Sequence, residues 1–363
     1  RTGAVLPRVL VVIDEFQVLH ERMATLPDPP DAADDVVVAW NVRESLVDIG
    51  MLAARDLGRW PQALGLGAEN LDSMRRRGAP DVELARAMFN DYGPLLRLGR
   101  AAEARTLLLR CRATFEAAGD TAALGSTLSA LADAEAELGH LERALALETD
   151  GLRHGYLADA PEAIAASHHN LAHYLRLTSG DPAQLWAHTL AAALIRFQIG
   201  SGSLADSLAG VGHLLAEHPG AAPATVDDVC ARLPGIGLAA LLDRLPRRAP
   251  DAQAAMAEVL AQGPAAAGEQ AELLLTNWAP VLSALRAAVR DGDPDADAAL
   301  GSALDTLQAH SDWQELAGAL RRVRAGEQDR DALTAGLDEA DATVVRLAVD
   351  HLAGILPIAP DAW

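Results

Sequence analysis

Residues 92–104 read YGPLLRLGRAAEA, and residues 132–144 repeat their pattern as ADAEAELGHLERA. Each stretch contains a leucine-glycine pair and then a small alanine five residues after the glycine, at Ala104 in the first and Ala144 in the second. Glycine can take the left-handed conformation that ends a helix, and alanine lets a second helix pack closely against the first. The pattern therefore predicts two consecutive helical hairpins.

The same spacing continues on both sides of this pair. Gly58 is followed by Ala63, and Gly180 is followed by Leu185 or Trp186 in place of the alanine. The four glycines are 41, 40 and 41 residues apart, and a fixed period in this range indicates stacked supersecondary units. One hairpin cannot bury its apolar face alone, so neighbouring hairpins must stack. We expect the missing alanine to alter the packing of the fourth repeat.

The Leu-Gly and alanine pattern resembles the tetratricopeptide repeat (TPR) family over residues 43–200, and Asn90 and the run Asn170, Leu171 and Ala172 are similar to the first helix of that repeat. The period exceeds the ~34 residues of the family, as in repeat arrays attached to bacterial STAND-type signalling ATPases. The resemblance implies an all-α fold: a right-handed α-solenoid of TPR-like hairpins followed by a second helical region. We expect an N-terminal segment over 1–35, the repeat array over 36–203 and the second helical region over 204–363.

Composition restricts the possible functions. Half of the 363 residues are hydrophobic and only 4% are aromatic, which favours closely packed helices over strands. The 30 basic residues are all arginines, so the chain offers no lysine for a phosphate-binding loop or a Schiff base. A net charge of −21 repels phosphate backbones and anionic lipids. No apolar run reaches the ~18 residues of a membrane span. We expect a cytoplasmic protein with no nucleic-acid and no membrane partner.

The N-terminal run over residues 4–19 ends its apolar part at Asp14 and Glu15. It resembles the Walker B strand of FtsK-type ATPases and, more loosely, that of the STAND-type signalling ATPases, in which such acids bind magnesium and polarise water. Because no phosphate-binding loop accompanies the run, we expect no nucleotide binding by this chain alone. The same residues also fit a helix that caps the array. Residues 27–35, PDPPDAADD, predict a linker.

Candidate binding residues lie on the first helices of the hairpins, which line the concave side of stacked repeats. By resemblance, Asn90 and Asn170 stand where family members hold a peptide. The other candidates, one turn or more along the same face, are Arg86, Asp133, His169, His173 and Arg176. His169 and His173 share a helix face, but no cysteine or carboxylate completes a metal-ligand set. We therefore predict no metal, no cofactor and no catalytic residue.

Beyond Ser203 the glycine spacing is lost, but helical periodicity continues. Separate helices are predicted over 251–262 and 267–290, and Thr225 is predicted as an N-cap. The resemblance to the repeat family implies a non-catalytic scaffold or sensor that binds a protein or peptide through its concave face. The alternative is the C-terminal sensor or regulatory part of a STAND-type signalling ATPase whose nucleotide domain is not in this chain.

Overall fold

The computed structural model describes residues 34–178, 180–246, 248–308, 313–337 and 339–354. Regular structure in these ranges is helical, with no β-strand. The predicted class is therefore confirmed: the chain is all-α and consists of TPR-like hairpins followed by further helices. Asp14, Glu15 and the linker up to residue 33 lie outside the described residues. The chain divides into two compact units between His140 and Leu141, which are called unit 1 and unit 2.

The described part of unit 1 follows the predicted hairpin order. Helix α1 packs against α2, α3 and α4 pack against α5, and α5 packs against α6. The bounds are α1 (Asp34–Asp56), α2 (Trp60–Arg76), α3 (Asp81–Phe89), α4 (Tyr92–Arg97), α5 (Ala101–Ala118) and α6 (Thr121–Glu137). The first helix of the second hairpin is divided into α3 and α4. Pro94 has no N–H to donate to the carbonyl of Asn90, and Asn90 and Asp91 form a turn between the two helices.

Glycine ends the first helix of three hairpins in the predicted way. Gly58, Gly99 and Gly139 have φ values of 68°, 68° and 78°. At each of them, the amide of the residue after the glycine donates to a carbonyl five residues earlier, as Arg100 does to Leu95 at 2.9 Å. These bonds satisfy carbonyl groups that the helix end would otherwise leave unpaired.

The second helices end in the same way, which halves the spacing of the left-handed residues to about 20. Gly78, Gly119 and Gly200 have φ values of 75°, 67° and 69°, and Asp159, at 49°, is the non-glycine residue with positive φ in the described part of the chain. Aspartate tolerates this conformation better than most residues do. Gly180 is the exception, because its φ lies outside the left-handed region. The prediction that Gly180 supplies the left-handed residue at the end of its helix is therefore wrong.

The described part of unit 2 begins with two more hairpin helices and ends in a second apolar cluster. Its helices are α7 (Leu141–Leu157), α8 (Pro161–Leu177), α9 (Pro182–Ile199), α10 (Leu204–Glu217), α11 (Val226–Arg232), α12 (Leu238–Arg244), α13 (Ala252–Arg286), α14 (Pro294–Gln308), α15 (Gln314–Arg324), α16 (Arg330–Thr334) and α17 (Glu339–Ala353). None of the helices in the described ranges has the length and hydrophobicity that crossing a bilayer requires. Thr225 caps α11 as predicted and exchanges hydrogen bonds with Asp228.

Helix α9 lies at the centre of unit 2. Thirteen of its 18 residues are buried, because α8, α10, α11, α12 and α13 all pack against it. A helix that is buried on nearly all sides requires such surroundings. Leu185, in the position of the repeat alanine, is 5% exposed, and Trp186 is fully buried and donates from Nε1 to the carbonyl of His218 at 2.9 Å. The larger side chains fill space that the additional helices enclose.

Helices α10 and α13 form a further hairpin, with α11 and α12 inserted in its connection. They cross at two glycines: a Cβ atom on Gly212 would lie 2.3 Å from the carbonyl oxygen of Gly263. The predicted break at Gly263 and Pro264 is wrong, because α13 continues through both as one helix of 35 residues. Its C-terminal part carries Leu282 and Leu285 into the second cluster, formed with α14 to α17.

Candidate functional site

A cleft of about 430 Å³ lies between α8 and α10 in unit 2 and is called the unit 2 cleft. Helix α9, which packs against both, forms its base with Leu185, Thr189 and Ala192. Helix α10 contributes Asp206 and Ser207. The remaining polar lining comes from Gln270 and from four predicted residues of α8, namely His169, Asn170, His173 and Arg176. The structure thus gathers the predicted residues of the fourth repeat in one place.

Two of these four side chains also support the fold. Asn170 donates from Nδ2 to Oε2 of Glu148 at 3.3 Å, and Glu148 is fully buried on α7. Arg176 donates to Oε2 of Glu217 at 2.7 Å, and Arg346 on α17 approaches the other oxygen of Glu217 at 3.4 Å. The amide and the guanidinium are therefore held in fixed positions at the cleft, and replacing either would also remove a structural contact.

Arg196 fixes the wall formed by α10. Its Nη1 donates to the hydroxyl of Ser207 at 2.9 Å, and its Nε lies 3.2 Å from Oε1 of Glu162. Arg196 and Ser207 are almost fully buried. Among the described residues, no imidazole or carboxylate is hydrogen-bonded to the Ser207 hydroxyl, so Ser207 does not have the arrangement of an activated nucleophile.

His169 and His173 are the titratable groups of α8 in the cleft. Burial lowers the pKa of His169, Arg196 and His173 lower it further, and Asp206 opposes the shift. A neutral imidazole has one donor and one acceptor nitrogen, which suits a peptide group. In the described ranges, no cluster of three or more histidine, cysteine or acidic side chains is placed to bind a metal ion.

His168, which adjoins His169, belongs to the interior. Its Nδ1 lies 2.8 Å from Nδ1 of His188, and its Nε2 lies 3.3 Å from the hydroxyl of Tyr156. Two facing nitrogens at this distance must share one proton, so the two rings cannot both be charged. Burial lowers the pKa of His188 to about 4 and places that of His168 well below its usual value, with the charge of His188 adding to the shift.

A second cleft, of about 440 Å³, lies in unit 1 and is called the unit 1 cleft. Helix α1 contributes Glu44, Ser45 and Asp48, and α2 contributes Asn70 and Met74. Helix α3 and the turns on either side of it contribute Arg77, Glu83, Arg86, Ala87 and Asn90, of which Arg86 and Asn90 were predicted. The Asn90 side chain makes no hydrogen bond to another described residue.

The two clefts occupy equivalent places within their units. Each lies between the first helices of consecutive hairpins, α1 and α3 in one case and α8 and α10 in the other, with the second helix α2 or α9 packed between them. Asp133, on α6, lines neither cleft.

Sequence reasoning missed several lining residues, among them Asp48, Asn70 and Asp206. Asp48 lies on a first helix and was open to the same argument as Asn90. Asn70 lies on a second helix, and no spacing rule points to it.

No family model matches this sequence, and no curated protein matches it. Among solved structures, BtubC (BKLC) from P. vanneervenii is 15% identical, with a TM-score of 0.45 over 69% of this chain and 97% of that one. The apo form of RapI is 11% identical, with a TM-score of 0.49 over 85% and 99%. A Rap protein complexed with competence and sporulation factor is 12% identical, with a TM-score of 0.49 over 98% of this chain and 97% of that chain.

Proposed function

We propose that this chain is a non-catalytic module that binds an extended peptide segment through the unit 2 cleft. The observation that carries the proposal is the line of polar groups on α8, at His169, His173 and Arg176, beside the base that Leu185 and Ala192 form. These three positions span roughly 10 Å of helix at about 1.5 Å per residue. An extended peptide covers that distance with about three residues, so the three side chains of α8 lie within reach of different peptide groups of one segment.

The chemistry of the cleft favours binding over catalysis. The groups that line it are hydrogen-bond donors and acceptors held by Glu148, Glu217 and Arg196. A rigid receptor loses little conformational freedom when its ligand binds. The hydroxyl of Ser207 is engaged by a guanidinium, as described above, and its geometry supplies no activated nucleophile.

The test starts from a library of random peptides displayed on phage and selected on the full chain. Selected peptides are synthesised and titrated by calorimetry. The double variant His169→Ala with His173→Ala should weaken their binding at least tenfold, because the hydrogen bonds that both rings make to the peptide are lost. His218→Ala is the matched control, since the exposed His218 side chain lies outside the cleft. Unchanged affinity in the double variant would refute the proposed site.

Substitutions of Asn170 and Asn90 would not be equally informative. Asn170→Ala would remove the hydrogen bond to the buried Glu148, and a loss of binding would not distinguish contact with the peptide from damage to the fold. Asn90→Ala makes no such change within the described residues.

A role as the sensor part of a STAND-type ATPase remains a prediction from the sequence, since Asp14 and Glu15 lie outside the described residues. We expect ATP with magnesium to give no heat of binding when titrated into the full chain, because the sequence has no lysine for a phosphate-binding loop. A measured dissociation constant in the micromolar range would contradict this expectation.

A further inference from the structure

The unit 1 cleft holds two hydrogen-bond acceptors that the described residues leave incompletely satisfied. Asp48 accepts from Nδ2 of Asn70 at 2.7 Å and forms no ion pair in the described part of the chain. Asn70 is 5% exposed, and its Oδ1 is enclosed without a hydrogen-bond partner among those residues. Buried acceptors almost always have a donor, so the Asn70 oxygen calls for a donor from a bound molecule. The Asp48 carboxylate beside it is exposed and is open to the same molecule.

The other two acids of the cleft are each paired with a cation. Glu44 accepts from Nε of Arg77 and from the hydroxyl of Ser73, both at 3.0 Å. Arg77 also pairs with Glu83. Asp48 is therefore the acid of the cleft that has no cation beside it. Partial burial and the charge of Glu44 raise the pKa of Asp48, and the bond from Asn70 opposes that shift.

The second guanidinium of the cleft, that of Arg86, is also ion-paired. Arg86 donates from Nη2 to Oδ2 of Asp120 at 2.7 Å, and this contact, with the capping bond from the amide of Ala123, lowers the pKa of Asp120. Within the cleft, three carboxylates face two guanidinium groups, one of which is shared with Asp120 outside it. The local charge is negative and favours a positively charged ligand.

We propose that the unit 1 cleft binds a cationic N–H donor of a peptide, its amino terminus or a lysine or arginine side chain, through Asp48 and Asn70. An ammonium group has three donors and a guanidinium has five, enough to meet a carboxylate and an amide carbonyl together. Hydrogen bonds between ionised partners are the stronger ones. Asn90, in the same cleft, offers an amide to the adjoining peptide group.

The donor set favours such a group over a metal ion. Glu44 and Glu83 are committed to Arg77, which leaves Asp48 as the carboxylate available for a ligand. One carboxylate and one amide oxygen fall short of the six or more oxygens that calcium or magnesium takes, unless water supplies most of them. This site lies in unit 1 and does not depend on peptide binding in the unit 2 cleft, so either proposal can fail alone.

The experiment uses the full chain with ¹³C-methyl methionine and follows the signals by NMR. The chain has five methionines, of which Met74 lines the cleft and Met256 is buried in unit 2. Three probes separate the sources of the cation: N-acetyl-arginine amide, N-acetyl-lysine amide, and trialanine amide with a free amino terminus. At least one should shift the Met74 signal with saturation, while Met256 stays unchanged. The probe that shifts it identifies the source.

Control ligands and variants make the result specific. N-acetyl-citrulline amide, the neutral counterpart of the arginine probe, and tetramethylammonium, a cation without an N–H donor, should leave the Met74 signal in place. Asp48→Asn should weaken binding at least tenfold and Asp48→Glu should restore most of it. Asp56→Asn, the same change on the exposed end of the same helix, should have no effect. If Asp48→Asn fails to fold, the unaltered chain still tests the proposal through the comparison of the arginine probe with its citrulline counterpart.

The proposal would be overturned if the citrulline counterpart shifted the Met74 signal as much as the arginine probe does, or if no cationic probe shifted it.

Discussion

Two glycines at equivalent places in the repeat serve different physical purposes. Gly139 has a φ of 78°, and a Cβ atom there would meet nothing within 4 Å. Gly180 has an ordinary φ, but a Cβ atom there would lie 3.0 Å from the carbonyl oxygen of Leu175 and 2.9 Å from its Cδ2. Backbone conformation requires the first glycine, and lack of space requires the second.

Alanine and asparagine substitutions should separate these two causes. Gly139→Ala should lower the free energy of unfolding by about 1 to 2 kcal/mol, and Gly139→Asn by less, because asparagine enters the left-handed region more readily. Gly180→Ala and Gly180→Asn should be similarly destabilising, by about 1 to 3 kcal/mol, because either side chain must displace Leu175. Urea unfolding followed by circular dichroism measures all four. Equal costs of alanine and asparagine at Gly139 would contradict the conformational explanation.

The glycine pattern shows how far sequence reasoning reaches for single residues. A leucine-glycine pair with an alanine five positions later is a local signal, and it correctly placed the ends of helices at Gly58, Gly99 and Gly139. The role of Asn70 depends on the meeting of α1 and α2, and the burial of His168 depends on contacts with α7 and α9. Such environments arise from tertiary packing, which no local spacing encodes.

Helix α13 shows the same limit for a whole helix. Glycine followed by proline normally ends a helix, and the sequence accordingly predicted a break at Gly263. Instead, the helix continues because Gly263 lies against Gly212 and Val211 of α10, with a Cβ atom there meeting them at 3.0 to 3.3 Å. Close packing of two helices outweighs the hydrogen bond that Pro264 cannot make.

Two alanine substitutions in this hairpin should have opposite effects. Gly212→Ala places a Cβ atom 2.3 Å from a backbone oxygen. It should therefore lower the free energy of unfolding by about 3 kcal/mol, at the upper end of the usual cost of overpacking. Gly268→Ala, in α13 with nothing within 4 Å, should stabilise by up to about 1 kcal/mol, because alanine is the better helix former. Chemical denaturation of both variants and the parent provides the comparison. A neutral Gly212→Ala would show that the helices can separate without cost.

Across the molecule, both units carry a buried titratable group outside the clefts, and the two groups respond to acid in opposite directions. Asp91 in unit 1 is 8% exposed, and burial raises its pKa to about 6, with Arg55 opposing the shift. His188 in unit 2 is 7% exposed, and burial lowers its pKa to about 4. The stabilising contribution of Asp91 is present below its unfolded pKa of about 3.9 and is lost as the pH rises through about 6. That of His188 is present above about 6.5 and is lost as the pH falls through about 4.

Acidification from pH 7 to pH 4.5 should therefore strengthen unit 1 through Asp91 and weaken unit 2 through His188. Each pKa shift, when complete, changes the free energy of unfolding by roughly 3 kcal/mol, at about 1.36 kcal/mol per pKa unit.

Asp91→Asn, which keeps the shape but removes the charge, should stabilise the protein at pH 7.5 and have little effect at pH 4. His188→Asn should reduce the loss of stability on acidification, since an amide does not take up a proton in this range. Hydrogen exchange read by mass spectrometry on peptides from each unit, corrected for the intrinsic pH dependence, follows the two responses separately. Parallel responses of the two units, or an Asp91→Asn effect that is the same at both pH values, would show that these two groups do not control the acid response.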